Sequence, residues 1–493
     1  MPFVEHAGKQ VVPLWVNGEA RPLQPERYIE VIHAAEGRLA HYAQGADEAD
    51  ALAAVEAAVA AFPAWSQTSH AERRRILLRA ADLIESRIEQ IAQMQVLETS
   101  CMIELGRFLV FRGAETTREI AAATTVALTG AMPPVEGDSL YLSVRHPVGP
   151  VLIIPPWNSP AILGPRGMFS ALAAGCTVVL KASEMCPAVY RLIVQVFEDA
   201  GLPRGAVNMV MARREDAAAV TEAIIAHPAI RKVEFIGSAP IGRQIGITAA
   251  KHMKPILMEL GGKCPFIVLK DANLKKAVQF AAFGAFLHHG QVCFSTERII
   301  VVKEVAEEFI GLLKEEVSTR YGNGFGSAAS KNFADRAHAL LEEARQNGAQ
   351  YIVGDNAFLG AQKTGLRPTI VTGVLRGDRL RDTESFGPSA TLYIVADEDE
   401  AVALANDSTY GLVAAIWSED VLRAYKIARH RLEFGAVHVN SCTPNDQPAV
   451  PLGAVKGSGW GTQNCAHGIA EFLTHKLVTV HSSSEPFPWA PGS

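Results

Sequence analysis

The sequence predicts an α/β protein built on parallel sheets, and two observations carry that expectation. From residue 150 onward, short β-branched runs at 151–154, 177–180, 207–210, 232–236, 256–260 and 266–269 alternate with helical stretches. Parallel neighbours need such crossovers, so the alternation reads as βαβ units. A second series follows at 298–302, 391–394, 412–417 and 436–439, and a second α/β domain is expected to begin near 262, where Gly261 and Gly262 precede Pro265.

Taken in chain order, the first clear element is a helix. Ser69-His70-Ala71-Glu72 has the spacing of a capping box, and Ile76, Leu77, Ala80, Leu83, Ile84, Ile88 and Ile91 recur at helical intervals, predicting one long amphipathic helix over 71–98. Within the first βα series, 188–200 reads as a crossover helix stopped by Gly201 and Pro203, and 216–226 as the next. The last apolar run, 477–480, lies far beyond the second series and suits an added edge strand, on this subunit or on a neighbour. The tail Ser482-Ser483-Ser484-Glu485-Pro486 is expected to fray.

Composition removes several classes. A chain of 493 residues with 48% hydrophobic and 20% charged residues has room for two to four domains with large cores, unlike disordered, collagen-like or disulfide-stapled chains. Glu56 interrupts the Ala-rich stretch, and Arg166 and Lys181 bracket the apolar run between them, so no window reaches membrane-spanning length. The N-terminus lacks a basic start followed by an apolar stretch, which favours an intracellular, cytoplasmic protein. A net charge of −6 without a basic stripe argues against nucleic acid. The seven cysteines are scattered, without a CxxC pair or zinc-ligand spacing, so neither a disulfide framework nor a metal is expected.

Five places carry possible chemistry. Ile236-Gly237-Ser238 opens a helix after a strand, an arrangement that aims backbone N–H groups at a phosphate, although glycine at such a turn often serves geometry alone. Lys181 and Glu184 close another strand, as ribose-binding groups or as a solvated pair. Glu259 ends the apolar run 256–260, where a carboxylate is paired, protonated or functional. Cys293, in Gly290-Gln291-Val292-Cys293, falls at a helix-to-loop junction, as a nucleophile or as a small buried hydrophobe, while Asn158, after Pro156-Trp157, either offers amide hydrogens to an oxyanion or braces a turn.

Together with Lys181-Ala182-Ser183-Glu184, Glu259-Leu260-Gly261-Gly262-Lys263 and Glu384-Ser385-Phe386-Gly387-Pro388, these segments resemble, in order and spacing, the NAD(P)-dependent aldehyde dehydrogenase superfamily, over nearly the whole chain. The resemblance implies a Rossmann-like cofactor domain (1–130 and 150–261), an α/β catalytic domain (262–447) and a small β oligomerisation element (131–149 and 470–487), in a homodimer or homotetramer. It implies a Cys293 nucleophile, Glu259 as general base and Asn158 as oxyanion donor. Cofactor contacts would come from Trp157, Lys181, Glu184, Gly237, Ser238, Glu384 and Phe386. A carboxylate at 184 favours NAD over NADP, because it accepts from ribose hydroxyls and repels a 2′-phosphate.

Ile162-Leu163-Gly164-Pro165-Arg166 and Cys293-Phe294-Ser295-Thr296-Glu297-Arg298 look like the benzaldehyde, vanillin and salicylaldehyde branch, which implies an aromatic aldehyde met by Arg166, Val292 and Phe294. Arg166 alternatively serves a structural salt bridge. Departures from the family pattern include Ile236, Cys264, His288-His289, Leu452 and Ala454. His289 either tunes the thiolate or substrate or merely packs, and Leu452 is expected to widen the tunnel mouth. The other functions in play are an aliphatic or semialdehyde dehydrogenase, a CoA-acylating dehydrogenase and a non-catalytic binding protein.

Overall fold

Two large sheets organise the chain in the computed structural model, which describes residues 2–135 and 139–483. The first has eight strands, in the order Gly459–Trp460, Ile256–Glu259, Lys232–Ile236, Val151–Ile154, Val178–Lys181, Val207–Val210, Trp15–Val16 and Glu19–Ala20. Its five inner strands are parallel, and short antiparallel strands finish both edges. The second sheet has seven strands, ordered Gln350–Val353, Thr369–Thr372, Ser389–Val395, Thr296–Val302, Cys264–Val268, Val413–Trp417 and Ala436–Val439, parallel except at its first pair. The chain passes from one sheet to the other between Glu259 and Cys264.

Side-chain alternation explains why these strands read as continuous apolar runs. Phe266, Val268, Ile299 and Val301 join one buried cluster, and Ile267, Leu269, Ile300 and Val302 join another. Successive residues therefore bury opposite faces of the same sheet, as a sheet covered on both sides requires. The sequence-derived strands agree with the observed ones to within a few residues at each end.

The helix expected over 71–98 is two helices, His70–Ser86 and Ile88–Thr99. Arg87 leaves helical geometry at φ −111° and ψ 19°. The Ser86 hydroxyl donates back to the Leu83 carbonyl at 2.9 Å, and Arg87 reaches Asp199 at 2.6 Å, so local and tertiary bonds compete with helix continuation. Half of the expected capping box forms. Ser69 Oγ accepts from the Glu72 N–H at 3.2 Å, but the Glu72 carboxylate turns to Arg75 instead.

Leu473–Val480 pairs antiparallel with Leu140–Pro147 along its whole length, on this same chain. Leu477 and Val480 on that ribbon are exposed. Residues 136–138 and 484–487 of the expected oligomerisation element, and with them Ser484, Glu485 and Pro486 of the tail, lie outside the described residues. Among the described residues no helix is long and apolar enough to cross a membrane.

Candidate active site

The carboxyl ends of the first sheet meet the entry to a strand of the second, the usual place for a site in an open α/β sheet. Val151–Ile154 leads into the loop that carries Asn158, Ile256–Glu259 ends on Glu259, and Cys293 precedes Thr296–Val302. Asn158 is buried and donates through Nδ2 to the Gln291 carbonyl at 2.9 Å. Gln291 fixes the cysteine loop with every polar atom of its amide, donating to the carbonyls of His288 (3.0 Å) and Ser327 (3.2 Å) and accepting from the Ala329 N–H (2.9 Å). Gly290, at φ +75°, sits where an added Cβ would collide with the Gly387 carbonyl, so only glycine lets the cysteine loop approach the Phe386-Gly387 segment.

The Cys293 thiol and the Glu259 carboxylate act on each other electrostatically. Burial, followed by the Glu259 charge, pushes the thiol well above its ordinary range. Burial raises Glu259 too, partly offset by the neighbouring thiol and by the Arg166 charge. The pair is thus a neutral thiol beside a carboxyl group of enhanced basicity.

A cavity of about 240 Å³ is lined by Asn158, Arg166, Val292, Cys293 and Phe294, with apolar walls from Phe108, Leu109 and Leu163. Arg166 is also a structural pair: its buried guanidinium bonds to Asp446 and donates to Gln463 Oε1 at 3.0 Å. Leu452, expected to widen the tunnel mouth, is not among the residues that line this cavity. It packs in an apolar cluster with Cys264, Cys293, Leu412 and Val413, and its strand pairs with Thr462–Gln463. His289 is buried and accepts from the Leu366 N–H at 2.9 Å, while His288 lines the cavity. Desolvation holds His288 down at about 4 and His289 at about 3, so both are neutral imidazoles at pH 7.

The remaining expected residues form a second surface. Trp157 stacks on Phe333 at 4.9 Å and meets the Phe386 ring edge-on at 5.9 Å. Glu384 Oε1 accepts from the Gly262 N–H at 3.1 Å, and burial raises its carboxyl well above the usual range. The residues present fit a dinucleotide. Ser238 begins the helix Ala239–Lys251 without a side-chain cap, leaving its first N–H groups for a phosphate, and Gly237 sits at the strand end beside it. Lys181 ends its strand, where burial lowers its ammonium against the opposing charge of Glu184.

Sequence reasoning missed the groups that hold this surface. Lys263 Nζ pairs with Glu297 at 2.5 Å and donates to the Thr383 carbonyl at 2.9 Å, while Glu297 accepts from the N–H groups of Ser385 and Phe386. Both residues stand inside the quoted motifs, and a buried opposite-charge pair was the available signal. Phe333, Asp446 and Gln463 had no such local signal.

The sequence profile of the aldehyde dehydrogenase family matches residues 21–478. The chain belongs to that family. It is therefore an oxidoreductase acting on aldehydes with a nicotinamide cofactor. Among its relatives, a vanillin dehydrogenase from Pseudomonas fluorescens is 40% identical, over 97% of this chain and 99% of that protein. The crystal structure of a salicylaldehyde dehydrogenase from Pseudomonas putida G7, complexed with salicylaldehyde, matches with a TM-score of 0.92 at 33% identity, covering 97% of this chain and 99% of that one. An NAD-dependent aldehyde dehydrogenase from Sinorhizobium meliloti gives a TM-score of 0.91 at 31% identity, covering 98% and 97%.

Proposed function

We propose that this enzyme oxidises an aromatic aldehyde to its carboxylic acid with NAD, through a thioester on Cys293. The observation that carries the substrate class is the cavity at Cys293. Its 240 Å³ and walls of Phe108, Leu109, Leu163 and Phe294 exceed the ~150 Å³ apolar cavity that suffices for benzene, leaving room for a formyl group and a substituent. The vanillin and salicylaldehyde dehydrogenases among its relatives support the same class.

The mechanism follows from the thiol–carboxylate pair. The Cys293 proton is lost to solvent, and the thiolate adds to the aldehyde carbon. Negative charge on the former carbonyl oxygen is met by the Asn158 amide, whose second N–H remains after the bond to Gln291, and by the Cys293 backbone N–H. When bound, the nicotinamide supplies the acceptor for the aldehyde hydrogen as hydride. Lys181, Glu184, Gly237 and Ser238 hold its adenosine and phosphate portions, and Trp157, Glu384 and Phe386 hold its ribose and ring. Val292 and Phe294 flank the substrate ring, with Arg166 on the cavity wall. Glu259 then removes a proton from water as its oxygen attacks the thioester, and the C–S bond breaks to return the thiolate.

NAD is favoured over NADP because Glu184 stands beside Lys181 and its charge opposes a 2′-phosphate. The exposed apolar residues of the ribbon 140–147/473–480 suit a homodimer or homotetramer. The test is NADH formation with benzaldehyde and aliphatic aldehydes, with and without CoA. Aromatic substrates are expected to show the highest kcat/KM without CoA. Strict CoA dependence, or preference for aliphatic aldehydes, would overturn this reading.

A further inference from the structure

Glu259 is 5% exposed, so a proton taken from the hydrolytic water needs a way out before the next turnover. The neighbouring strand holds a second buried carboxyl group. Glu234 pairs in register with Leu257 and Ile236 with Glu259, so Glu234 and Glu259 project from the same face of adjacent parallel strands, one diagonal step apart. Strand spacing puts their Cβ atoms roughly 8 Å apart. On the other side, Glu234 faces Ile153 of an apolar strand.

The surroundings of Glu234 differ from those of a structural ion pair. Gln463 Nε2 donates to its Oε1 at 3.1 Å, while the buried Oε2 makes no hydrogen bond with the protein. That oxygen packs against Gly167, where any Cβ would collide with it. The Arg166 guanidinium acts electrostatically on both Glu234 and Glu259, and its buried Nε is also without a partner. Two residues back on the same face, Lys232 Nζ pairs with Glu471 at 2.5 Å, and Glu471 is 23% exposed. Ionisable and polar side chains thus run along one sheet face from Glu259, past Arg166 and Gln463, to Glu234, Lys232 and Glu471 at the surface.

We propose that Glu234 receives the proton that Glu259 takes from the hydrolytic water and delivers it toward the Lys232–Glu471 pair. The proposal rests on Glu259 acting as base in deacylation. In the step, a water O–H bond breaks and a C–O bond forms on the thioester. The C–S bond electrons return to Cys293, and the proton sits on Glu259 until it moves to the Glu234 carboxylate. Burial pushes Glu234 up to about 7, against the opposing charges of Arg166 and Lys232 and with a smaller upward push from Glu471, so it both accepts and releases a proton near neutrality.

The test is rapid-mixing and steady-state kinetics of Glu234→Gln over pH 6–9, with Glu234→Asp and Glu259→Gln alongside. Glu234→Gln is expected to keep the NADH burst, to lower steady-state turnover about tenfold, and to lose the kcat limb near pH 7. Glu234→Asp is expected to restore part of both. Gln463→Met, which removes a donor that favours the carboxylate, is expected to move that limb to higher pH, and it serves if Glu234→Gln does not fold. A wild-type kcat and pH profile in folded Glu234→Gln overturns the proposal. An unmoved limb in Gln463→Met does the same. If Glu259→Gln itself keeps steady-state turnover, the base assignment has failed instead.

Discussion

Buried charges are treated differently in the two sheets. In the second, Glu297 is surrounded by donors from Lys263, Ser385 and Phe386, and Arg298 donates to the carbonyls of Lys263 (2.7 Å), Leu404 (2.9 Å) and Ala405 (2.8 Å). In the first, Glu234 Oε2 has no protein partner, nor has Nε of Arg166 on the helix Pro160–Ala174, and Glu259 has only a long contact of 3.4 Å to the Gly261 N–H. Saturated groups fix geometry, while partly satisfied ones keep a second protonation state within reach. The saturated network holds the Glu384–Phe386 segment in place, and the unsaturated one sits where protons move.

Substitutions on either side break or sharpen this contrast. Cys293→Ala should lower turnover on the order of 10⁴-fold or more while leaving NAD binding intact, checked by steady-state assay and calorimetric titration. Opening the saturated pair with Glu297→Ala should cost about 3–5 kcal/mol in denaturant-measured stability, because Lys263 is left charged and buried. It should also weaken NAD binding by releasing Ser385 and Phe386. Glu259→Gln should leave stability nearly unchanged and slow steady-state turnover by about 10²–10³-fold, sparing the NADH burst.

Two smaller effects depend on pH. Because the fold holds His288 and His289 at about 4 and 3, below an unfolded value of about 6.5, the unfolded chain binds more protons beneath pH 6.5. Stability is therefore lost as pH falls from 6.5 toward 4, by up to about 1.4 kcal/mol per pH unit for each histidine. A His288→Asn/His289→Gln double variant should flatten that slope in urea titrations. Glu234 has the opposite sign: its folded value of about 7 lies above the unfolded one, so stability falls as pH rises through 4.5 to 7. Glu234→Gln should remove that loss, on the order of 1–2 kcal/mol between pH 6 and pH 8.

Most strands of both sheets were legible because β-branched runs and crossover helices are local patterns, and Cys293, Glu259 and Asn158 stand in short motifs. The helix break at Arg87 was not, since its cause includes an ion pair with Asp199, 112 residues away. The N-terminal strands between 4 and 44 also escaped notice, the first four being two to four residues long and Tyr28–His33 half exposed. The partners of Arg166 show the same limit. Asp446 and Gln463 lie 280 and 297 residues distant, where no periodicity points to them, and the arginine both lines the cavity and carries an ion pair.

The central claim is a covalent bond between one sulfur and the substrate carbonyl carbon. Glu259→Gln enzyme mixed with benzaldehyde and NAD, quenched in acid within the burst and analysed by peptide mass spectrometry, should carry a benzoyl group on Cys293. An unmodified Cys293, or the same group on Cys264 instead, would contradict the account.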